Sequence, residues 1–474
     1  MTKQQAIAIY KQGQDSVVEL LLKLTLENEA LKTRVQQLEN QSAKDSHNSS
    51  KPPSSDGLKK KKTKSLRTPT SRSVGGQQGH KGQTLKKVEN PDHKIIHRVD
   101  GNCNCGFSLQ HIQPTNYETR QVFDIPPIKV EVTEHRAEIK HCPNCGKQHK
   151  ALFPNHVSNV VQYGNRVKAF SVYLMNYQLI PYQRTQEFFN DIFSLPISQG
   201  TLVNFNKYCY HQLQGTETFI KQQIIKAAVA HFDESGLYVN ANRNWLHAAC
   251  TEDFTYYACH EKRGKKAMQD IGILPDFLGT AVHDHWKSYF SFPGKHGLCN
   301  SHHLRELTYI DERYQQSWAN DMANLLCEIK NKVDVEKTHR NCLENKILKD
   351  YQDRYEKILV VAEKANPPPQ PKTKKRKRGR PKQTEPKNLL DRMRDYARET
   401  LAFMYDFDVP FDNNLAERDV RMIKVQQKIS GTFRSDFGAK YFCRNRSYIS
   451  TAKKQKFNVL EAIVACFLNQ PVIV

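Results

Sequence analysis

Apolar side chains recur every seventh position near the start of the chain: Val17, Leu24, Leu31 and Leu38. A second series, Leu21, Asn28 and Val35, lies between them. A heptad period predicts a helix with an a/d seam, and one Asn at an a position favours a two-stranded coil in one register. Residues 1–45 therefore read as a coiled coil or zipper, either joining copies through residues 17–38 or forming one ordinary amphipathic helix. Over 46–85 Ser, Pro, Gly and Lys replace the apolar positions, which predicts a basic disordered linker. Within 86–157 the stretch QVFDIPPIKVEVTEHRAEIK alternates as two strands of a hairpin do. Helical spacing returns over 158–222, where one helix near YQRTQEFFNDIF stops before SLPIS and Ser198 can cap the next. Four short apolar runs follow, AAVAHFDES, NWLHAACT, FTYYACH and GTAVHDHWKSY, with a polar helix KKAMQDIGIL before the last. Residues 311–364 and 389–470 are helical and charged, separated by a Pro- and Lys/Arg-rich break.

Charge narrows the partners. A formal net charge of +23 on 474 residues favours a polyanion, nucleic acid before an anionic membrane surface. The start, MTKQQAIAIYKQGQ, has no secretory character, and no apolar run approaches the ~20 residues that span a bilayer. The expectation is a soluble intracellular protein. Four of its twelve cysteines are clustered: Cys103 and Cys105 in CNC, Cys142 and Cys145 in CPNC. A knuckle at each end of a hairpin brings four thiolates to one tetrahedral Zn²⁺, as in a zinc ribbon. His111, His141 or His149 could replace one of these ligands.

Helix, turn and capped helix over 158–222 fit a helix-turn-helix, with Gln199 and Asn204 facing a DNA groove. Tri-helical packing without DNA contact has the same pattern. The run KKRKRGRPK contains Arg376, Arg378 and Arg380. It reads as a minor-groove hook, a phosphate-binding tail or a solvated loop. The run of strand, strand, strand, helix, strand is the start of a ribonuclease-H-like sheet. Asp233 and Asp284 end two of its apolar strands, where a pair of carboxylates can share Mg²⁺ with water and phosphate oxygen. Glu417, in FDNNLAERDVR, either joins them or closes a capping box with Asn414. Glu234, Asp253, Asp270 and Asp419 compete for these roles.

NSSKPPSSD, GGQQGHKGQTL, HFDESG, HDHWKSYF, CNSHHLREL and FDNNLAERDVRMIKVQQKISGTFRS keep one order along the chain. Together they resemble the insertion-sequence-66 transposase family. The resemblance implies a multidomain α+β enzyme: coiled coil, zinc ribbon, helix-turn-helix, and a ribonuclease-H-like α/β catalytic domain over 223–470 with a helical and basic insertion at 300–400. It implies that Asp233, Asp284 and Glu417 hold two Mg²⁺ or Mn²⁺ ions. These would serve DNA cleavage by water and then attack of the freed 3′-OH on target DNA. Its partners would be double-stranded DNA at terminal inverted repeats and target, a second copy of the chain and small accessory transposition proteins, in a bacterial cytoplasm at the nucleoid. Arg418, Arg421 and Lys424 would meet phosphate. The CNC knuckle departs from the family's two-residue spacing, which leaves the ligand set open. Cys299 and His302 resemble a Cys-x-x-His pair of such enzymes, or are a buried thiol and a helix-start His. The rival is a catalytically silent DNA-binding descendant.

Overall fold

The computed structural model describes residues 2–49, 85–368 and 383–473. Most of the 46–85 linker, and Arg376, Arg378 and Arg380, lie outside the described residues. The chain divides into one unit of Met1–Leu66, Pro154–Glu187 and Ile197–Val474, and another of Arg67–Phe153 and Phe188–Pro196.

The larger unit begins with α1 (Lys3–Lys11), started by a capping box in which Thr2 Oγ1 accepts from Gln5 N–H and Gln5 Oε1 from Thr2 N–H. Gly13, at φ +107°, breaks the helix before α2 (Gln14–Ser42). Along α2 the heptad residues Leu21, Leu24, Leu31, Val35 and Leu38 are exposed. Its last turn is fastened: Asn40 C=O accepts from Tyr309 Oη (3.0 Å) and Asn40 Oδ1 from Arg313 Nε (2.7 Å).

The smaller unit holds the hairpin β1 (Ile139–His141) and β2 (Gln148–Lys150). The two long strands expected over 121–140 are absent except for the start of β1. Pro126 and Pro127 withdraw two donors there, and the alternating apolar residues stay in solvent, Val122 at 92% and Val132 at 88% exposure.

Helices α3 (Asn165–Val172), α4 (Tyr182–Phe193), α5 (Gln199–Gln212) and α6 (Gln214–Lys226) precede the main sheet. Its strands are β3 (Val229–Val239), β4 (Asn242–Cys250), β5 (Thr255–His260), β6 (Thr280–His283) and β7 (Lys295–Leu298), with α7 (Lys265–Ile271) between β5 and β6. Their order is β5-β4-β3-β6-β7, antiparallel from β3 to β5 and parallel from β3 to β7. Asn240 and Ala241, both at positive φ, make the two-residue turn that suits the right-handed twist of a hairpin. Strand β7 had no signal in the sequence: it has four residues, one of them Gly297, whose added Cβ would lie 2.8 Å from Val409 Cγ1.

Side chains alternate across β3. Ala230 and Phe232 join Ile220 and Ile224 of α6 and Met268 of α7 on one face. Leu237 and Val239 take the other face, which α14 (Asn414–Ser430) and α15 (Asp436–Lys454) cover with Val420, Ile423 and Phe442. Between β7 and α14 the chain makes a helical insertion: α8 (Asn300–Tyr314), α9 (Ser317–Glu336), α10 (Asn345–Ala365), α11 (Glu385–Asp395), α12 (Ala397–Thr400) and α13 (Ala402–Tyr405). It has its own core around Leu307, Trp318, Met322, Tyr355 and Met393. Helix α16 (Val459–Phe467) ends the fold against α3 and α15.

Candidate active site

Strand register brings the first two acids together. β3 and β6 pair in parallel as Val229↔Thr280, Ala230↔Ala281 and His231↔Val282. Carried two residues further, the same register sets Asp233 beside Asp284, just past the end of β6. Asp233 is not at the end of its strand, as the sequence suggested, because β4 keeps pairing with β3 as far as Val239. Alternation turns Asp233 to the Leu237 face, the one under α14. Asp284 Oδ1 accepts from Trp286 N–H (3.0 Å), and Asp233 Oδ1 from Glu234 N–H (2.8 Å).

The third acid arrives on α14. The residue that starts this helix is Asn413, not Asn414, and its side chain caps nothing. Instead Asn413 Oδ1 accepts from His231 Nδ1 (2.8 Å), and Nδ2 donates to Phe232 C=O (2.8 Å). The Asn413 N–H also points at Cys299 Sγ (3.2 Å). The helix start is thus tied to the two residues before Asp233, and the capping box is not formed. Glu417 Oε1 is buried without a hydrogen-bond partner, and His302 Nε2 lies 3.9 Å from it. Ligand-capable atoms of Cys299, His302 and Glu417 fall within 4.8 Å of one another. Burial pushes the Cys299 thiol up to about 12.

A fourth acid was passed over by the sequence reading except as a competitor. Glu234 is buried, accepts from Tyr289 Oη, and pairs with Arg263 through Nε (2.7 Å) and Nη2 (2.6 Å). Arg263 Nη2 is also 3.9 Å from Asp284 Oδ2. Burial, then Asp284, raises the Glu234 carboxyl to about 7 against the pull of Tyr289 and Arg263. Burial raises Asp233 well above the usual carboxylate range, and Glu234, Asp284 and Glu417 add to it. Asp233 and Glu234 resist ionisation, and the orphaned Glu417 oxygen is an acceptor left without a donor; a divalent cation suits such a site, since it offsets the repulsion between the acids. The hard oxygen donor set fits Mg²⁺ or Mn²⁺. The other competitors are accounted for: Asp419 pairs with Lys454 (2.8 Å), Asp270 with His260 (3.1 Å), and Asp253 is exposed on a loop.

A model of the transposase IS66 family matches residues 160–441. The chain belongs to that family. Residues 100–146 match the zinc-finger binding domain of transposase IS66, and residues 3–86 match a family of unknown function. No curated protein matches this transposase. One solved structure that resembles it is the Drosophila P element transposase strand transfer complex, at 10% identity and a TM-score of 0.31, covering 65% of this chain and 95% of that one.

The expected DNA contacts of the transposase among the described residues lie on α5 and α14. Ser198 caps α5, its Oγ accepting from Thr201 N–H (3.1 Å), and Gln199 and Asn204 are exposed. The inner side of α5, with Leu202, Phe205 and Cys209, is buried, and the helix packs on α3, α15 and α16. Arg418, Arg421 and Lys424 are exposed on α14. Lys424 Nζ donates to Gly236 C=O (2.8 Å), and Arg421 Nη2 lies 3.6 Å from Glu417 Oε2.

In the smaller unit both cysteine pairs of the transposase sit in tight loops of one design. Asn102 bridges Ser108 around the first, and His141 pairs with Gln148 around the second. Gly106 (φ +91°) and Gly146 (φ +69°) follow the second Cys of each, so the turn needs glycine at that place. Gly106 N–H returns to Cys103 C=O (2.7 Å), and Gly146 N–H to Cys142 C=O (2.8 Å). Backbone hydrogen bonds from Cys105 and Cys145 lower the Cys103 and Cys142 thiols toward thiolate, the form that binds Zn²⁺. Among the described residues the four sulfurs do not form a group within 4.8 Å, whereas each pair is shaped as a knuckle.

Proposed function

We propose that this transposase is a DDE enzyme that cleaves element ends and joins the freed 3′-OH to target DNA. The observation that carries the proposal is the meeting of Asp233 and Asp284, on adjacent parallel strands, with the orphaned oxygen of Glu417 on the helix above them. The strand order β5-β4-β3-β6-β7 supports a ribonuclease-H-like reading of the sheet, with a helical insertion before the last acid. Asp233, Asp284 and Glu417 would hold two Mg²⁺ or Mn²⁺ ions, which when bound activate the attacking oxygen and offset charge on phosphate. Asn413 positions Glu417 by fixing its helix to β3. Arg418 and Arg421, exposed on the same helix, would meet a phosphate backbone.

We assign the remaining parts to the domains read from the sequence: 1–45, 46–85, 86–157, 158–222 and 223–470. The exposed seam of α2 over residues 17–38 joins copies of the chain. Cys103, Cys105, Cys142 and Cys145 hold one structural Zn²⁺. Gln199 and Asn204, with Arg376, Arg378 and Arg380 of the basic run, add contacts to terminal repeats. Among the described residues no helix is long and apolar enough to cross a membrane, and DNA at the bacterial nucleoid is the proposed place of action. The test is strand transfer by purified full-length chain, with Mg²⁺ or Mn²⁺, a labelled element-end duplex and any accessory proteins supplied. Joined product from the wild type, absent with Asp233→Ala, supports the reading. Binding without cleavage by both points to the catalytically silent descendant.

A further inference from the structure

Of the three tryptophans in the chain, Trp318 is in the insertion core, and Trp245 and Trp286 are half-buried, Trp245 on the Glu234 face of the sheet and Trp286 two residues after Asp284. Arg243 and Arg263 lie against the Trp245 ring, at 4.7 Å and 5.0 Å from its centre. Arg263 also stacks on Trp286 at 3.7 Å. Gly236 faces Trp245 across the β3–β4 ladder, and Arg243 occupies the space a side chain there would take: an added Cβ would lie 3.6 Å from its Nε and Nη2. The row Arg243, Trp245, Arg263, Trp286 reaches Asp284 through Arg263 Nη2, 3.9 Å from its Oδ2, and Asp284 Oδ1 accepts from the Trp286 backbone N–H. The buried Glu234 carboxylate holds Arg263 in its plane. Among the described residues Arg243 has no carboxylate partner, and its charge, after burial, lowers the pKa of the neighbouring Lys424.

Two flat indoles alternate with two guanidiniums, excess positive charge lies beside them, and the row leads to the proposed metal site. Such a surface matches a ligand with exposed aromatic faces and regularly spaced negative charge. Unpaired DNA offers both, whereas duplex DNA keeps its base faces stacked inside. We propose that Arg243, Trp245, Arg263 and Trp286 bind a short unpaired stretch of the DNA strand next to the cleaved phosphate, with bases on the indoles and phosphates on the guanidiniums. This rests on the reading of the acids as the DNA-cleaving centre, but its readout is binding.

The probe is an oligothymidylate of about 12 nucleotides, since stacking tolerates any base, set against a blunt duplex of equal length. Full-length protein is titrated with each in metal-free buffer, following tryptophan emission and fluorescence anisotropy. Oligothymidylate is expected to quench emission, and duplex to leave it unchanged. Trp245→Ala and Trp286→Ala should each weaken oligothymidylate binding by roughly five- to a hundredfold. Duplex affinity should stay level, and Trp245→Phe and Trp286→Phe should keep most of the binding. The wild-type comparison of oligothymidylate with duplex keeps the test decisive if an Ala variant does not fold. Emission unmoved by oligothymidylate, or equal losses for both ligands, would overturn the proposal. Quenching in a protein that fails to cleave DNA with Mg²⁺ would sink the catalytic reading and leave the strand site standing.

Discussion

Replacing Asp233 with Asn separates charge from shape at the centre of the site. The Asn side chain keeps an oxygen for the Glu234 N–H but removes the negative charge that burial, Glu234, Asp284 and Glu417 all oppose. The folded-state pKa of Asp233 is raised, so the folded chain holds this proton more tightly than the unfolded chain does. Stability is therefore lost as pH rises from the unfolded value, about 3.9, through the folded one. At neutral pH the Asn variant is spared that cost, and without divalent metal it should melt no lower than wild type. Metal reverses the order. A ligand bound only to the folded state adds RT ln(1 + [L]/Kd), about 2.7 kcal/mol at a hundredfold excess over Kd. At roughly 2–4 °C per kcal/mol for a large domain, that is about 5–10 °C in wild type. The variant, lacking one ligand, should gain little. Losing several kcal/mol of Lewis-acid stabilisation should slow strand cleavage by about 10³–10⁴. Since the Asp233 proton must leave, Mg²⁺ affinity of wild type should rise with pH, and that of the variant should rise less. The assay is thermal unfolding across a Mg²⁺ or Mn²⁺ titration at several pH values. An Asn variant with a lower metal-free Tm and the full metal-induced gain would refute the assignment of Asp233 as a metal ligand.

Four other changes probe the remaining parts. Asn413→Ala leaves His231 Nδ1 and the Phe232 carbonyl unpaired in the core; urea unfolding should show a loss of about 1–3 kcal/mol, with cleavage falling further because Glu417 loses its anchor. Cys103→Ser and Cys142→Ser should each lower bound zinc from one ion per chain, read by metal analysis of dialysed protein, and equal retention by both would exclude the two knuckles as a joint site. Leu24→Lys combined with Leu31→Lys should shift sedimentation to monomer at micromolar concentration, since both residues lie on the exposed seam of α2. Burial holds the His247 imidazole down at about 4, so its contribution is complete above the unfolded pKa near 6.5 and is lost as pH falls toward 4. That loss reaches about 3 kcal/mol, and His247→Gln should flatten the urea midpoint over that range.

The candidate acids stand out in the sequence because each sits where a local pattern changes: an apolar run leading to Asp233, another to Asp284, and a polar helix start before Glu417. Strands β3 to β6 were legible for the same reason. Strand β7 was not, because its identity comes from pairing with β6 and from the room left by Gly297. The alternation over 121–140 gave strands that the fold does not make, since a period of two needs a face to bury and Pro126–Pro127 break the ladder. Glu234 was named only as a rival of Asp233. Its role depends on Arg263 and Tyr289, 29 and 55 positions away, and no spacing rule joins them. Trp245 and Trp286 carried no signal, because stacking on shared guanidiniums is a property of three dimensions.

The insertion explains how an acid so far along the chain can meet two that register alone brings together. It leaves the sheet after β7 and returns at α14, and the two ends are tied to each other. Asn300 N–H donates to Phe411 C=O (3.0 Å), Asn413 N–H points at Cys299 Sγ (3.2 Å), and Asn300 Nδ2 donates to Thr400 C=O (2.9 Å). The six described helices of the insertion, with a core of their own, are therefore closed at the base, and their length has no bearing on where Glu417 falls. What sets it is Asn413, which binds the base of the insertion with its backbone and β3 with its side chain. The capping signal that sequence alone offered at Asn414 gives way to Asn413, which hands the helix start to the strand that carries Asp233. A side chain that satisfies β3 in place of its own helix trades local stability for position, the kind of local inconsistency expected at a functional site.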